Sequence, residues 1–267
     1  MIKKLFNKLE RKLTKKKILD RFITDGIEYR VIETTNILPS FKNRRGLIFR
    51  KDDMVYNHSA IYTNPKYHFQ PVYKTTQKII SAWAGDNSLN NTLVLGCAGC
   101  TIPRFMVLSF PDSKITGIEL SEDFIKIANK YFLLDEISKQ FTLIQGDAID
   151  YIENSDFKEK RDVIVVDIFD ANTLISDIFS DGFTTALPNH TTENSIIIFN
   201  LFGKNIDEIT AFTNTFSFDF DGKYILCSKD DKIPSRELIL LRTINKNYTS
   251  VFEEKLKLTG MEIHKLT

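Results

Sequence analysis

Asn91-Thr-Leu-Val-Leu-Gly-Cys-Ala-Gly-Cys-Thr-Ile-Pro-Arg104 decides how this chain folds. Leu93, Val94 and Leu95 form a short apolar run. It breaks into the small residues Gly96 to Thr101, and a helix-like pattern resumes through Phe105, Val107 and Leu108. That order is a strand, a tight turn and a helix start. Glycines in such a turn let a ligand lie against bare backbone, and the helix N-terminus favours negative or electron-rich groups. Ile115-Thr-Gly-Ile-Glu119 follows as a second short strand ending in a carboxylate. At that spacing a carboxylate can accept the hydroxyl protons of a ribose.

Outward from this pair, apolar strands and helical patterns alternate. Strands are expected at 92–95, 115–119, 141–145, 162–166 and 195–200, with helices at 103–109, 121–133, 173–187 and 206–215. Near-continuous apolar strands separated by helices imply a parallel sheet covered on both faces. Two last strands, 223–228 and 237–242, are expected to pair antiparallel at its edge. Upstream, 27–32, 46–50 and 54–62 read as a small antiparallel meander, and 70–83 as a helix. The expected fold is α/β: a doubly wound, mostly parallel, seven-stranded sheet of Rossmann-like type with a small N-terminal β-appendage. The division is 1–22 basic amphipathic helix, 23–69 β-region and 70–267 α/β domain.

Bulk composition narrows the class. The 267 residues carry 36 Lys+Arg against 35 Asp+Glu, with three cysteines. No disulfide framework, membrane span or secretory leader is suggested, so a cytoplasmic protein is expected. Residues 1–17 are strongly basic, and Leu5, Phe6, Leu9 and Leu13 recur at helical spacing. A helix packing its apolar stripe on its own domain is the favoured reading, with contact to anionic lipid as the alternative. Nucleic acid is not expected as a partner.

Ligands in open α/β sheets bind beyond the C-terminal strand ends. Every such end here carries a glycine or polar residue: Gly96 and Gly99, Glu119, Gly146-Asp147-Ala148, Asp167 and Asp170, and Asn200. Each has a plain alternative. Asp147 can N-cap the next helix, Asp170 can be a loop residue, and Asp167 can be a structural hydrogen-bonder. Cys97-x-x-Cys100 has the spacing of a zinc or redox pair. Zinc wants four ligands and there is no second pair, so no metal is expected.

These motifs resemble the spermidine-synthase-like group of the S-adenosylmethionine-dependent methyltransferase superfamily. The likeness runs from about Asn57 to Arg242, through Leu95-Gly-Cys-Ala-Gly-Cys-Thr101, Gly117-Ile-Glu119, Gly146-Asp-Ala148, Asp162 to Asp170, the Phe179/Phe183 pair and Asn200-Leu-Phe-Gly203. It implies S-adenosylmethionine, or its decarboxylated form, held by Gly96, Cys97, Ala98, Gly99, Glu119 (ribose), Asp147 (adenine amine), Ala148 and Asp167. It implies Asp167, Asp170 and Tyr73 as catalytic residues, a small-molecule acceptor such as an amine, and a homodimer. The chain departs from the aminopropyltransferases of that group in four places: the glutamine near the end of their β-domain falls near Asn57 or His58, and the Asp-Pro after their catalytic acid reads Asp170-Ala171, besides two that bear on the reaction. Gly99 stands where their glycine loop carries an acid, and Tyr73-Lys74-Thr75 lacks the glutamate of their Tyr-His-Glu stretch. Methyl transfer to a small amine or other polar acceptor is therefore expected. Aminopropyl transfer and a non-catalytic nucleoside-binding scaffold are the alternatives.

Overall fold

The computed structural model describes residues 14–36, 43–51, 54–64, 67, 75–85, 87, 89–154, 159–170, 173–227, 236–245 and 247–266. The chain opens with a four-stranded antiparallel sheet, β1 (Thr14–Thr24), β2 (Ile27–Asn36), β3 (Arg44–Lys51) and β4 (Met54–Tyr62), in sequential order. The expected helix over 1–22 is corrected here for residues 14–22, which are strand. Asp25 and Gly26 both take positive φ, 51° and 74°, the backbone of a tight two-residue hairpin turn, so β1 is held along its length by β2. The apolar residues that suggested a helix, Leu5 to Leu13, lie outside the described residues.

The larger sheet has eight strands rather than seven. They are β5 (Asn91–Leu95), β6 (Lys114–Glu119), β7 (Phe141–Gln145), β8 (Arg161–Val166), β11 (Thr191–Asn200), β12 (Gly222–Cys227), β13 (Arg236–Arg242) and β14 (Glu262–Leu266), ordered β14-β12-β13-β11-β8-β5-β6-β7. The five strands from β11 to β7 run parallel. β13 is antiparallel to β11 and β12, as the sequence indicated, and the unforeseen β14 adds antiparallel to β12.

Helices α1 (Thr75–Ala84), α2 (Thr101–Ser109), α3 (Glu122–Tyr131), α4 (Ala148–Asn154), α5 (Asp181–Ala186), α6 (Ile206–Thr213) and α7 (Tyr248–Lys257) connect and cover the strands. The single helix expected over 173–187 is a correction as well. Residues 173–174 form β10, which pairs with β9 (Phe169–Asp170), and only Asp181–Ala186 is α-helical between two 3-10 turns. Ser180, extended and capping Phe183 N, starts that helix anew, and Pro188 follows it.

Alternation along the strands sorts two cores. Val94, Val165, Ile198, Leu226 and Ile239 face Ile79, Ile80 and Trp83 of α1, together with Met106 of α2 and Phe252 of α7. Leu95, Val166, Phe199 and Leu238 face the other side, with Ile152, Phe183, Ile209 and Phe212. Each such buried side chain contributes roughly 1.5–3 kcal/mol. A third cluster joins Tyr29, Val31, Leu47 and Phe49 to Ile127 of α3 and Phe132, seating the small sheet on the large domain. Polar ties reinforce that seat. Asp20 accepts from Lys130 Nζ (3.0 Å) and the Tyr131 hydroxyl (2.8 Å), and Arg45 donates to the Tyr131 carbonyl (2.7 Å).

Candidate functional site

Register places one polar row across the C-terminal edge of the sheet. Asn200 pairs with Glu237, Phe199 and Leu95 each pair with Val166, Leu95 pairs with Ile118, and Glu119 with Gln145. One residue beyond the apolar pairs, Glu237, Asn200, Asp167, Gly96, Glu119 and Gln145 come into line. Apolar core ends along this row and polar groups begin.

The glycine loop closes against its neighbours at backbone distance. Gly96 has φ 80°, and a Cβ there would fall 2.3 Å from the Asp167 carbonyl oxygen, so only glycine fits. Ala98 (φ 43°) and Cys100 (φ 54°) also take the left-handed region. Their alternation turns the amides inward. Glu119 fixes them: its Oε2 accepts from Cys97 N (3.0 Å) and Ala98 N (2.7 Å), and its Oε1 from Ser121 N (2.9 Å). A carboxylate offers about four acceptor sites. About one is open, so two ribose hydroxyls can bind Glu119 only if an amide is shared or released.

Gly99 is covered from the small sheet. Its amide donates to Ser59 Oγ (3.0 Å), and a Cβ at 99 would lie 2.6 Å from Ser59 Cβ and 3.0 Å from the Phe132 ring. Helix α2 begins directly afterwards without a side-chain cap, whereas α3, α5 and α6 are capped by Ser121, Ser180 and Asn205.

Asp167 lies at the end of β8. Burial pushes its carboxyl up to about 6, and the hydrogen bond from Asn200 Nδ2 to its Oδ1 (2.8 Å) holds it from rising further. Asp170, in the β9–β10 hairpin just beyond, is exposed. Asp147 caps α4 through Oδ1, which accepts from Ile149 N (2.7 Å) and Asp150 N (3.3 Å), with Ala148 buried behind it. Cys97 and Cys100 are buried and reduced. Burial, with Cys100 beside it, holds the Cys97 thiol well above its ordinary pKa, the opposite of an activated redox thiol. Tyr73 lies outside the described residues. Among the described residues no three His, Cys, Asp or Glu side chains group as a metal site would require.

The β-appendage contributes residues that sequence reasoning did not select. The Tyr29 hydroxyl is pushed up to about 12, chiefly by burial and then by the negative charges of Asp170, Asp25 and Glu119. Ser59 covers Gly99. Tyr29 stood near no recognisable motif, its signal being only an aromatic within an apolar strand; Ser59 lies beside Asn57 and His58, where the resemblance sets the family's β-domain glutamine, but a hydroxyl there was not selected.

No family model matches the chain. A polyamine aminopropyltransferase of Neisseria meningitidis serogroup A is 27% identical over 106 residues, 40% of each chain. One of Chromobacterium violaceum is 26% identical over 91 residues, 34% of each. The chain thus spans well under half the length of these curated relatives. Among solved structures, a probable spermidine synthase from Corynebacterium glutamicum matches with TM-score 0.69 at 13% identity, over 93% of this chain and 90% of that one. The fold is that of the spermidine-synthase-like group. A spermidine synthase in complex with the transition-state analogue AdoDATO matches with TM-score 0.60 and 17% identity, over 94% of this chain and 82% of that one. Human methyltransferase-like protein 13 in complex with SAH matches with TM-score 0.54 and 17% identity, covering 69% and 91%. The two spermidine synthases cover nearly all of this chain and the methyltransferase about two thirds. The spermidine-synthase-like arrangement therefore takes in most of the molecule.

Proposed function

We propose that the chain is an S-adenosylmethionine-dependent transferase that moves a methyl group to a small amine. Gly96 and the backbone of residues 97–99 form one wall of the donor site, Glu119 meets the ribose through its remaining acceptor site, and Asp147 keeps Oδ2 for the adenine amine. S-adenosylmethionine supplies a carbon already activated by its sulfonium. The protein's task is alignment and proton management. Asp167 attracts a cationic acceptor. Its raised proton affinity suits it to take the amine's proton at neutral pH, and Asp170 stands at the mouth.

Gly99 carries the choice of methyl over aminopropyl. A carboxylate at this place suits a donor whose own carboxylate is gone. Here there is neither an acid nor room for one under Ser59. The uncapped N-terminus of α2 adds a positive end suited to the carboxylate of the intact donor. Aminopropyl transfer is the second reading, favoured by the named activity of the curated relatives. Incubating the protein with each donor and a panel of mono- and diamines, then weighing the products, tests both. A 14-dalton gain supports methyl transfer and a 57-dalton gain supports aminopropyl transfer, by the mass of roughly one CH₂ or one C₃H₇N unit added per amine.

A further inference from the structure

β7, with the sequence Phe-Thr-Leu-Ile-Gln over 141–145, is the last strand of the large sheet and pairs only with β6. The Gln140 carbonyl accepts from Ile115 N, and Gly146 N donates to the Glu119 carbonyl, so the even-numbered residues along β7 bond to β6. Alternate residues of a strand turn their backbone groups to the opposite side. Phe141, Leu143 and Gln145 therefore present N–H and C=O along an open edge, and these groups have no partner among the described residues.

Open strand edges are ordinarily blunted by charge, bulge or cover. β1 has Lys15, Lys16 and Lys17 and a break in register, β4 has an extra residue, His58, in its pairing with β3, and β14 has Glu262, His264 and Lys265. β7 has no charge, no proline and no break in register. One of its faces is also open. Ile144 is 38% exposed, and Thr142 on the same face is exposed. An uncharged edge of this kind is a template for another strand.

We propose that β7 pairs antiparallel with β7 of a second copy of this chain, about a two-fold axis at Leu143, so that two large sheets run on as one. The strand is self-complementary in this register. Leu143 meets the partner's Leu143, and Phe141 meets Gln145 of the partner subunit, which engages all three outward-facing residues at once. Thr142 falls opposite the partner's Ile144, covering the face that the single chain leaves open. Just outside the strand, Lys139 comes toward Asp147 of the partner subunit. Both residues are exposed, and Lys139 has no ion-pair partner among the described residues. This match of charge, with the symmetric use of the edge, favours a second copy over an unrelated strand. Each copy thereby sets a cation beside the other's Asp147, next to the donor site.

Light scattering over a concentration series of the full chain, native and Ile144→Lys, tests the pairing. The native protein is expected to be a dimer. The variant is expected to dimerise on the order of tenfold more weakly, or less still, at unchanged Tm. A second variant traps the register. Residues opposed as Thr142 and the partner's Ile144 have Cα atoms about 4.5 Å apart, within disulfide reach. Thr142→Cys/Ile144→Cys is therefore expected to run as a covalent dimer on a non-reducing gel after treatment with a small disulfide oxidant. The native protein, whose cysteines are buried, is expected to run as a monomer there. A native protein that is monomeric throughout the series overturns the proposal. So does a dimer that Ile144→Lys leaves intact and the cysteine pair fails to trap. Should Ile144→Lys lower Tm, the cysteine pair alone decides.

Discussion

The Asn200 side-chain amide donates to Asp167 Oδ1 over 2.8 Å, joining the ends of β11 and β8 and setting the proton affinity of a half-buried carboxyl. Burial raises that carboxyl and this bond opposes the rise. Asn200→Leu is therefore expected to lift Asp167 above about 6 and to move the acidic limb of the pH–rate profile to higher pH. An unmoved limb would mean that Asp167 does not govern it.

Asp167 also costs stability. Its folded-state value, about 6, stands above the ordinary 3.8, so the folded protein binds this proton more tightly than the unfolded chain. Stability from this group is present below pH 4 and is lost as pH rises through 6. Asp167→Asn is expected to raise stability at pH 7–8 by about 2–3 kcal/mol and to leave it unchanged near pH 4, while abolishing turnover. Tm measured across pH for both proteins checks this. A destabilised variant at pH 8 would show that the charge is structural.

His58 acts with the opposite sign. Its ring is packed among Tyr29, Phe49 and Phe124, its Nε2 has no hydrogen-bond partner among the described residues, and burial lowers it to about 4. Stability from the neutral ring is present above pH 6.5 and lost as pH falls through 4. His58→Phe should flatten the acid side of the stability curve between those values. Parallel curves for the two proteins would rule out His58 as the source.

Gly99 and Ser59 should behave as a coupled pair. Gly99→Ala drives a Cβ to 2.6 Å from Ser59 Cβ and is expected to cost about 1–3 kcal/mol. In a Ser59→Gly background much of that cost should vanish. Denaturant unfolding of the four proteins gives the coupling, and additive effects would mean that the small sheet does not close over the loop as described.

Much of this site was legible because strand-end residues follow periodicity. Apolar runs located β5, β6, β7, β8 and β11, so Gly96, Glu119, Asp147, Asp167 and Asn200 fell at their ends without knowledge of packing. What escaped was set at long range. Glu119 is taken up by the amides of Cys97 and Ala98, which depends on how the loop folds back. Ser59 reaches Gly99 only because Ile127 and Phe132 seat the small sheet on α3. β1 escaped for a local reason: Lys15, Lys16 and Lys17 fill its first half, and its hairpin signal is the single pair Asp25-Gly26. β14 pairs with β12 across an intervening strand and helix, which no local pattern reveals.

A donor site closed by Gly99 and Ser59 is expected to prefer intact S-adenosylmethionine. Calorimetric titration with S-adenosylmethionine and with its decarboxylated form, side by side at roughly pH 7.5, measures that preference. Tighter binding of the intact donor, about tenfold or more, is the expected result. Tighter binding of the decarboxylated donor would rule out that preference and return the chain to aminopropyl transfer.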